Sequence, residues 1–147
     1  MQEVADGARA KDTNCIRIGI HPGSSDADKA INCPIYTGLG DGRNYINAHA
    51  SDVMIALYGG SGTLSEIAHA MKLKRPVVLF PAWHFLRALV KREKAKAAFV
   101  DTAKRAVQEA FKFLDGNELV GEYPDWPGQE RQKEEFEHYV LRANNAG

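Results

Sequence analysis

Two short runs are apolar at every position: Val53-Met54-Ile55-Ala56-Leu57-Tyr58 and Val77-Val78-Leu79-Phe80. Unbroken apolar runs of this length predict strands covered on both faces, as in a parallel sheet. Between them, Thr63 to about Leu73 places Ile67, Ala70 and Met71 on one helical stripe and closes at Arg75-Pro76. The order strand, glycine-rich turn, helix, strand is a βαβ unit with a right-handed crossover. Upstream, Ile16 to Ile20 alternates and is β-branched, which predicts another strand, ended by His21-Pro22-Gly23-Ser24-Ser25. Ile35-Tyr36-Thr37 predicts a short strand, and Asp41 is placed to cap a helix from about Gly42 to Ala50. Val4, Ala5 and Ala8 stand at helical spacing at the start of the chain.

Beyond Pro81 the pattern predicts helix. From Lys94 to Leu114, the residues Phe99, Val100, Ala103, Val107, Ala110, Phe111 and Leu114 form one stripe, expected to be a core face. Asp115-Gly116-Asn117 stops it. A rigid loop, Tyr123 to Gly128, precedes a mostly polar helix from Gln129 to Arg142, with Phe136, Tyr139 and Val140 on one side. The expected organisation is an α/β domain over residues 1–115. A loop-and-helix extension, 116–147, would pack on that domain or on a partner subunit.

Composition narrows the function classes. The 147 residues, 16.2 kDa, suit one domain. Lys plus Arg equals Asp plus Glu at 19 each, which argues against a nucleic-acid coat. No apolar run is long enough to span a bilayer, and no signal-peptide pattern opens the chain, so a cytoplasmic protein is expected. Cys15 and Cys33 form no CxxC pair, and no two of the five histidines have metal-ligand spacing, so no metal is expected. No G-x-S-x-G elbow is present. The excess of Arg87, Lys91, Arg92, Lys94 and Lys96 over Glu93 reads as a solvated helix face or as an anion-attracting rim.

Eight of the 13 glycines fall between Gly19 and Gly62, which places the candidate chemistry there. Gly59-Gly60-Ser61-Gly62-Thr63-Leu64-Ser65-Glu66 joins a strand to a helix. Its free helix-terminal amides can cradle a phosphate, although a ligand-free tight turn has the same pattern. It is neither a Walker loop nor GxGxxG. Thr63-x-x-Glu66 fits a capping box, and Glu66 also fits a catalytic carboxylate facing away from the phosphate. Both readings stand. Thr37-Gly38-Leu39-Gly40-Asp41-Gly42-Arg43-Asn44 sets an arginine in a helix's first turn, where the dipole disfavours it unless it meets an anion. Pro22 and Gly23, after the first strand, belong on the same sheet edge. The candidate ligand-binding residues are therefore Pro22, Gly23, Gly38, Gly40, Arg43, Asn44, Gly59, Gly60, Ser61, Gly62 and Thr63.

Gly38 to Asn44, then Asp52-Val53, then Gly59 to Glu66 resemble the LOG-like Rossmann superfamily. Its members include cytokinin-activating phosphoribohydrolases, once misnamed lysine decarboxylases, and the molybdenum cofactor carrier proteins. Ile18-Gly19-Ile20-His21-Pro22-Gly23, Thr37 to Gly40 and Lys74-Arg75-Pro76-Val77-Val78 are closer to the carrier branch. The resemblance implies a Rossmann-like doubly wound parallel sheet, assembly into dimers or tetramers, and a pocket for a phosphorylated nucleotide-like or pterin-like ligand. It implies a carrier with molybdenum cofactor as the best candidate ligand and no other cofactor required. The alternative it implies is a nucleoside 5′-monophosphate phosphoribohydrolase, in which Arg43 and Glu66 match the catalytic pair. Where the enzymes have Pro before the double Gly and a basic residue after the Arg, this chain has Tyr58 and Asn44. Relatives open with a further strand, helix and strand. Residues 1–8 match the helix after that portion, so a sheet lacking the first β-α-β portion is expected.

Overall fold

The computed structural model describes residues 2–23 and 29–116. The expected turn at Ser24-Ser25 and the expected loop and helix between Tyr123 and Arg142 lie outside the described residues. Helix α1 (Gln2–Lys11) leads to strand β1 (Ile18–His21), which pairs in parallel with β2 (Cys33–Tyr36), Ile18 opposite Cys33. A 3-10 turn, Gly40–Gly42, opens α2 (Arg43–Ala50). Then follow β3 (Met54–Ala56), α3 (Ser61–Lys72), β4 (Val77–Leu79), a 3-10 segment Pro81–Leu86, α4 (Arg87–Glu93), β5 (Ala97–Phe99) and α5 (Ala103–Leu114). β3, β4 and β5 form a second parallel sheet in that order. The expected parallel α/β architecture is present, with its ladder in two parts.

The core sits on both faces of the three-stranded sheet. Val77 and Leu79 face Ile67, Ala70 and Met71 of α3, with Ala48, Trp83, Leu86 and Val90. Val78 and Phe80 face the other way, onto Ala98, Val100, Ala106 and Phe113. This alternation is the two-residue period of a strand. Val77, Val78 and Leu79 are wholly buried, and each such side chain contributes about 1.5–3 kcal/mol of burial. β4 is thus the central strand, as its unbroken apolar run predicts.

Four local expectations are corrected. The stripe from Lys94 to Leu114 is not one helix. Lys94 adopts a left-handed conformation (φ 49°) that ends α4, and Ala97-Ala98-Phe99 pairs with β4. Helix resumes only after Thr102, whose hydroxyl accepts from the Arg105 amide at 3.3 Å. Nor is the α5 stripe a core face: Ala106 and Phe113 are buried, whereas Val107, Phe111 and Leu114 are about half exposed. β3 is shorter than the apolar run and is not covered on both faces, since Ile55 is 39% exposed. Asp41 does not cap α2. It lies inside the 3-10 turn, and Gly42 takes the cap position without a side-chain bond. Cys33 is exposed at the N-terminal end of β2.

Arg17 fastens the chain entering β1. Its guanidinium donates to the carbonyls of Ala30 (2.6 Å) and Cys15 (2.8 Å), and its amide donates to Asn32 Oδ1 (2.7 Å).

Candidate functional site

Three loops leave the C-terminal ends of β1, β2 and β3, the edge where open α/β sheets take ligands. The first two are stitched together. The Thr37 amide and hydroxyl both donate to the His21 carbonyl, at 3.1 and 2.8 Å, and the Gly40 amide donates to the Pro22 carbonyl at 3.1 Å. Gly38 and Gly40 have φ of 65° and 52°, so a side chain at either would strain the turn. These residues bring Pro22, Gly23, Gly38 and Gly40 to one exposed rim.

The third loop is shaped by Gly59. A Cβ there would overlap the Thr63 side chain, approaching its Cβ at 2.8 Å, so the loop folds tightly onto α3. Gly60 is the N-cap, extended, with open space around it and no side-chain cap. The amides of Ser61, Gly62 and Thr63 precede the first intrahelical bond, Leu64 N to Gly60 O at 3.1 Å. Gly59, Gly60 and Ser61 are exposed, and Gly62 and Thr63 half-buried. This corrects the capping-box reading. Because the helix starts at Ser61, Thr63 lies within its first turn and cannot serve as the N-cap.

Glu66 is half-buried and accepts a 2.6 Å hydrogen bond from Asn47 Nδ2. The sequence did not mark Asn47. Its one signal is helical spacing, one turn beyond Arg43 on α2. Arg43, also half-buried, heads α2, and no ion pair joins it to Glu66 among the described residues. Asn44 is buried, 3% exposed, and its Nδ2 would lie 3.8 Å from a Cβ at Gly62. The first turns of α2 and α3 therefore meet at Asn44 and Gly62. Asn44 is part of that contact, not an exposed ligand residue. Tyr58 and Leu39 are 73% and 59% exposed on the loops around the site.

In the segment that follows β4, His84 is buried and stacks edge-on to Phe99, ring centroids 5.4 Å apart. Burial, with the nearby Arg87 charge in support, holds its pKa below the ordinary histidine value. Arg87 itself lies over the Phe99 ring at 4.6 Å, and Arg92 pairs with Glu93. Two members of the basic run are thereby engaged within the protein. Among the described residues no cluster of His, Cys, Asp or Glu could hold a metal, and no helix is long and apolar enough to cross a membrane.

A family model described as the SLOG cluster4 family matches residues 1–110. The molybdenum cofactor binding protein from the phototrophic bacterium Rippkaea orientalis superimposes with a TM-score of 0.69 at 30% identity, over 78% of this chain and 71% of that one. The Moco carrier protein from Chlamydomonas reinhardtii superimposes at 0.68 with 32% identity, over 79% and 71%. An uncharacterized protein of Archaeoglobus fulgidus is 38% identical over 87 residues, 54% of this chain. The chain spans 56% of the length of that curated relative.

Proposed function

From the premise that the chain belongs to the SLOG cluster4 family, we propose that it is a binding or carrier protein for a phosphorylated pterin-like or nucleotide-like ligand. Molybdenum cofactor is the best candidate. The observation that carries this reading is the likeness, at 30 and 32% identity, to two proteins described as binding or carrying that cofactor.

The geometry supports the same reading. The phosphate would sit on the free amides of Ser61, Gly62 and Thr63, where the α3 dipole and the open approach at Gly60 favour an anion. Arg43 would supply the countercharge, because its planar fork suits phosphate oxygens. The rim of Pro22, Gly23, Gly38 and Gly40 would face the remainder of the ligand with backbone, and Asn44 would hold the two helix starts in register. Tyr58 offers an exposed ring beside a planar heterocycle. Assembly into dimers or tetramers belongs to the same proposal.

The phosphoribohydrolase reading retains one supporting observation: Glu66 is held by Asn47 on the helix that would cradle the phosphate. In that reading Glu66 and Arg43 would be the catalytic pair. Anaerobic incubation with molybdenum cofactor, followed by desalting, separates the two. Pterin fluorescence and molybdenum retained by the protein would support carriage. No retention, together with adenine released from AMP, would replace the carrier with the enzyme.

A further inference from the structure

We propose that the N-terminal edge of the three-stranded sheet is a basic docking surface, and that its occupant is the acidic segment 130–137 of the same chain. The make-up of the edge, the path of the chain and the charge of the segment each support this pairing.

The edge is built by two helix ends. α3 and α4 cover one face of the sheet, through Ile67 and Met71 on one helix and Val90 on the other, packed with Val77 and Leu79. Each helix ends just before the next strand begins, so both C-termini stand at the N-terminal edge. Lys74 precedes β4 and Lys94 precedes β5 by the same three residues, and Val77 pairs with Ala97. The two lysines therefore occupy matching places at neighbouring strand entries. Both have left-handed backbone, with φ of 59° and 49°. Glycine closes a helix in that conformation without strain, yet the chain carries lysine at both places. Lys72 and Lys91, in the last turns of the same helices, are exposed with them. A helix C-terminus favours a nearby cation, but it gives none of the four a carboxylate. Asp52 is engaged by Arg75 at 3.8 Å, and Glu93 by Arg92 at 3.3 Å. Among the described residues no ion pair reaches Lys72, Lys74, Lys91 or Lys94.

The path of the chain leads to this edge. α5 packs on β4 and β3, and its last turns bring Phe111 and Leu114 to a groove shared with Asp52 and Val53, at the entry to β3. Gly116 follows that helix with φ of 77°. Fourteen residues separate Gly116 from Glu130, a reach of more than about 40 Å when extended. Neighbouring strand entries lie only about 4.8 Å apart, so the whole edge is within that reach.

Charge selects the occupant. Residues 117–147 hold seven acidic and three basic side chains, a net charge of −4. Residues 1–116 hold sixteen basic and twelve acidic ones, a net charge of +4. Within the acidic part, Glu130, Glu134 and Glu137 recur at the spacing of one helical stripe. Phe136, Tyr139 and Val140 fall on a different stripe, and the exposed Phe111 and Leu114 offer them apolar surface. A short tether supplies a millimolar effective concentration, whereas a second copy offers the same carboxylates only at its own concentration. The segment of the same chain is therefore favoured.

The test uses the full chain. Chymotrypsin cleavage after Phe136 and Tyr139 reads whether the segment is held, and cleavage at the exposed Tyr58 and Phe85 reports the fold in the same digest. In Lys74→Glu combined with Lys94→Glu, cleavage in the segment should rise by about tenfold or more, with Tyr58 and Phe85 unchanged. Adding Glu130→Lys, Glu134→Lys and Glu137→Lys exchanges the charges and should slow the cleavage again. Should the double glutamate variant fail to fold, Lys74→Gly with Lys94→Gly, which suits the left-handed backbone, must show the same rise. Carbodiimide coupling in a mixture of isotope-labelled and unlabelled protein then identifies the chain that supplies the carboxylates. Links from the segment to Lys74 or Lys94 should join fragments of like label only. Unchanged cleavage, a rise that the charge exchange does not reverse, absence of coupling, or coupling between labelled and unlabelled chains would each overturn the proposal.

Discussion

The Asn47 side-chain amide donates to a Glu66 carboxylate oxygen at 2.6 Å, bridging α2 and α3. This bond fixes the carboxylate relative to the amides of Ser61, Gly62 and Thr63 on the same helix. A hydrogen bond to a charged acceptor contributes about 1.5–3 kcal/mol, and partial exposure places this one at the lower end. Asn47→Ala should therefore lower stability by about 1–2 kcal/mol in urea titrations. Asn47→Asp should cost more at neutral pH, since it sets two carboxylates within bonding distance. Equal costs for Ala and Asp at pH 7 would show that the bond is not made in solution.

The two glycines of the third loop should separate sharply. Gly59→Ala forces a Cβ into Thr63 and should cost about 2 kcal/mol or more, with the loop displaced. Gly60→Ala meets nothing within 4 Å and changes only an N-cap, at a cost of about 1 kcal/mol or less. If Gly60→Ala nonetheless weakens phosphate-bearing ligands by tenfold, its open space is where the anion approaches. Thermal melts with and without ligand read both effects.

The contrast between β4 and β5 shows what the chain discloses locally. Val77-Val78-Leu79 is unbroken and β-branched, and it forms the buried centre of the sheet. Ala97 and Ala98 have little β propensity, and pairing with β4 makes Ala97–Phe99 a strand. A helical period therefore ran across it unopposed. Both misplaced caps share one cause. Asp41 and Thr63 are good capping residues, but Gly42 and Gly60 took the cap positions because the preceding glycine turns set where each helix starts. The loops carrying the candidate site were legible because their glycines are local requirements. Asn47 was not, because its role exists only where α2 meets α3.

His84, in the 3-10 segment after β4, gives a pH signature. Its folded-state pKa lies below the ordinary value of about 6.5, through burial first and Arg87 second. As the pH falls below that value, the unfolded chain takes up the proton before the folded chain does, and unfolding is favoured. The stabilisation is present above about pH 6.5 and is lost as the pH falls towards the depressed folded-state value. The unmodified protein should therefore lose more stability between about pH 7 and pH 5 than His84→Gln does. Parallel stability curves for the two proteins would show that the buried imidazole carries no such penalty.

Glu66→Gln is the substitution on which the two functional readings part. Glutamine keeps the shape of the side chain and an oxygen able to accept from Asn47, so the α2–α3 contact and the fold should survive. It removes the negative charge and the basic oxygen. A carrier needs neither for its phosphate cradle, which on the proposed reading would be built from the amides of α3 and from Arg43. Its retention of molybdenum cofactor should stay within about threefold of the unmodified protein or rise slightly, because a charge repelling the phosphate is gone. A phosphoribohydrolase loses its carboxylate, and adenine release from AMP should fall by about 10²–10⁴-fold with binding largely kept. Cofactor retention lost in a folded Glu66→Gln protein would count against the carrier, since the carboxylate would then be part of the binding site itself.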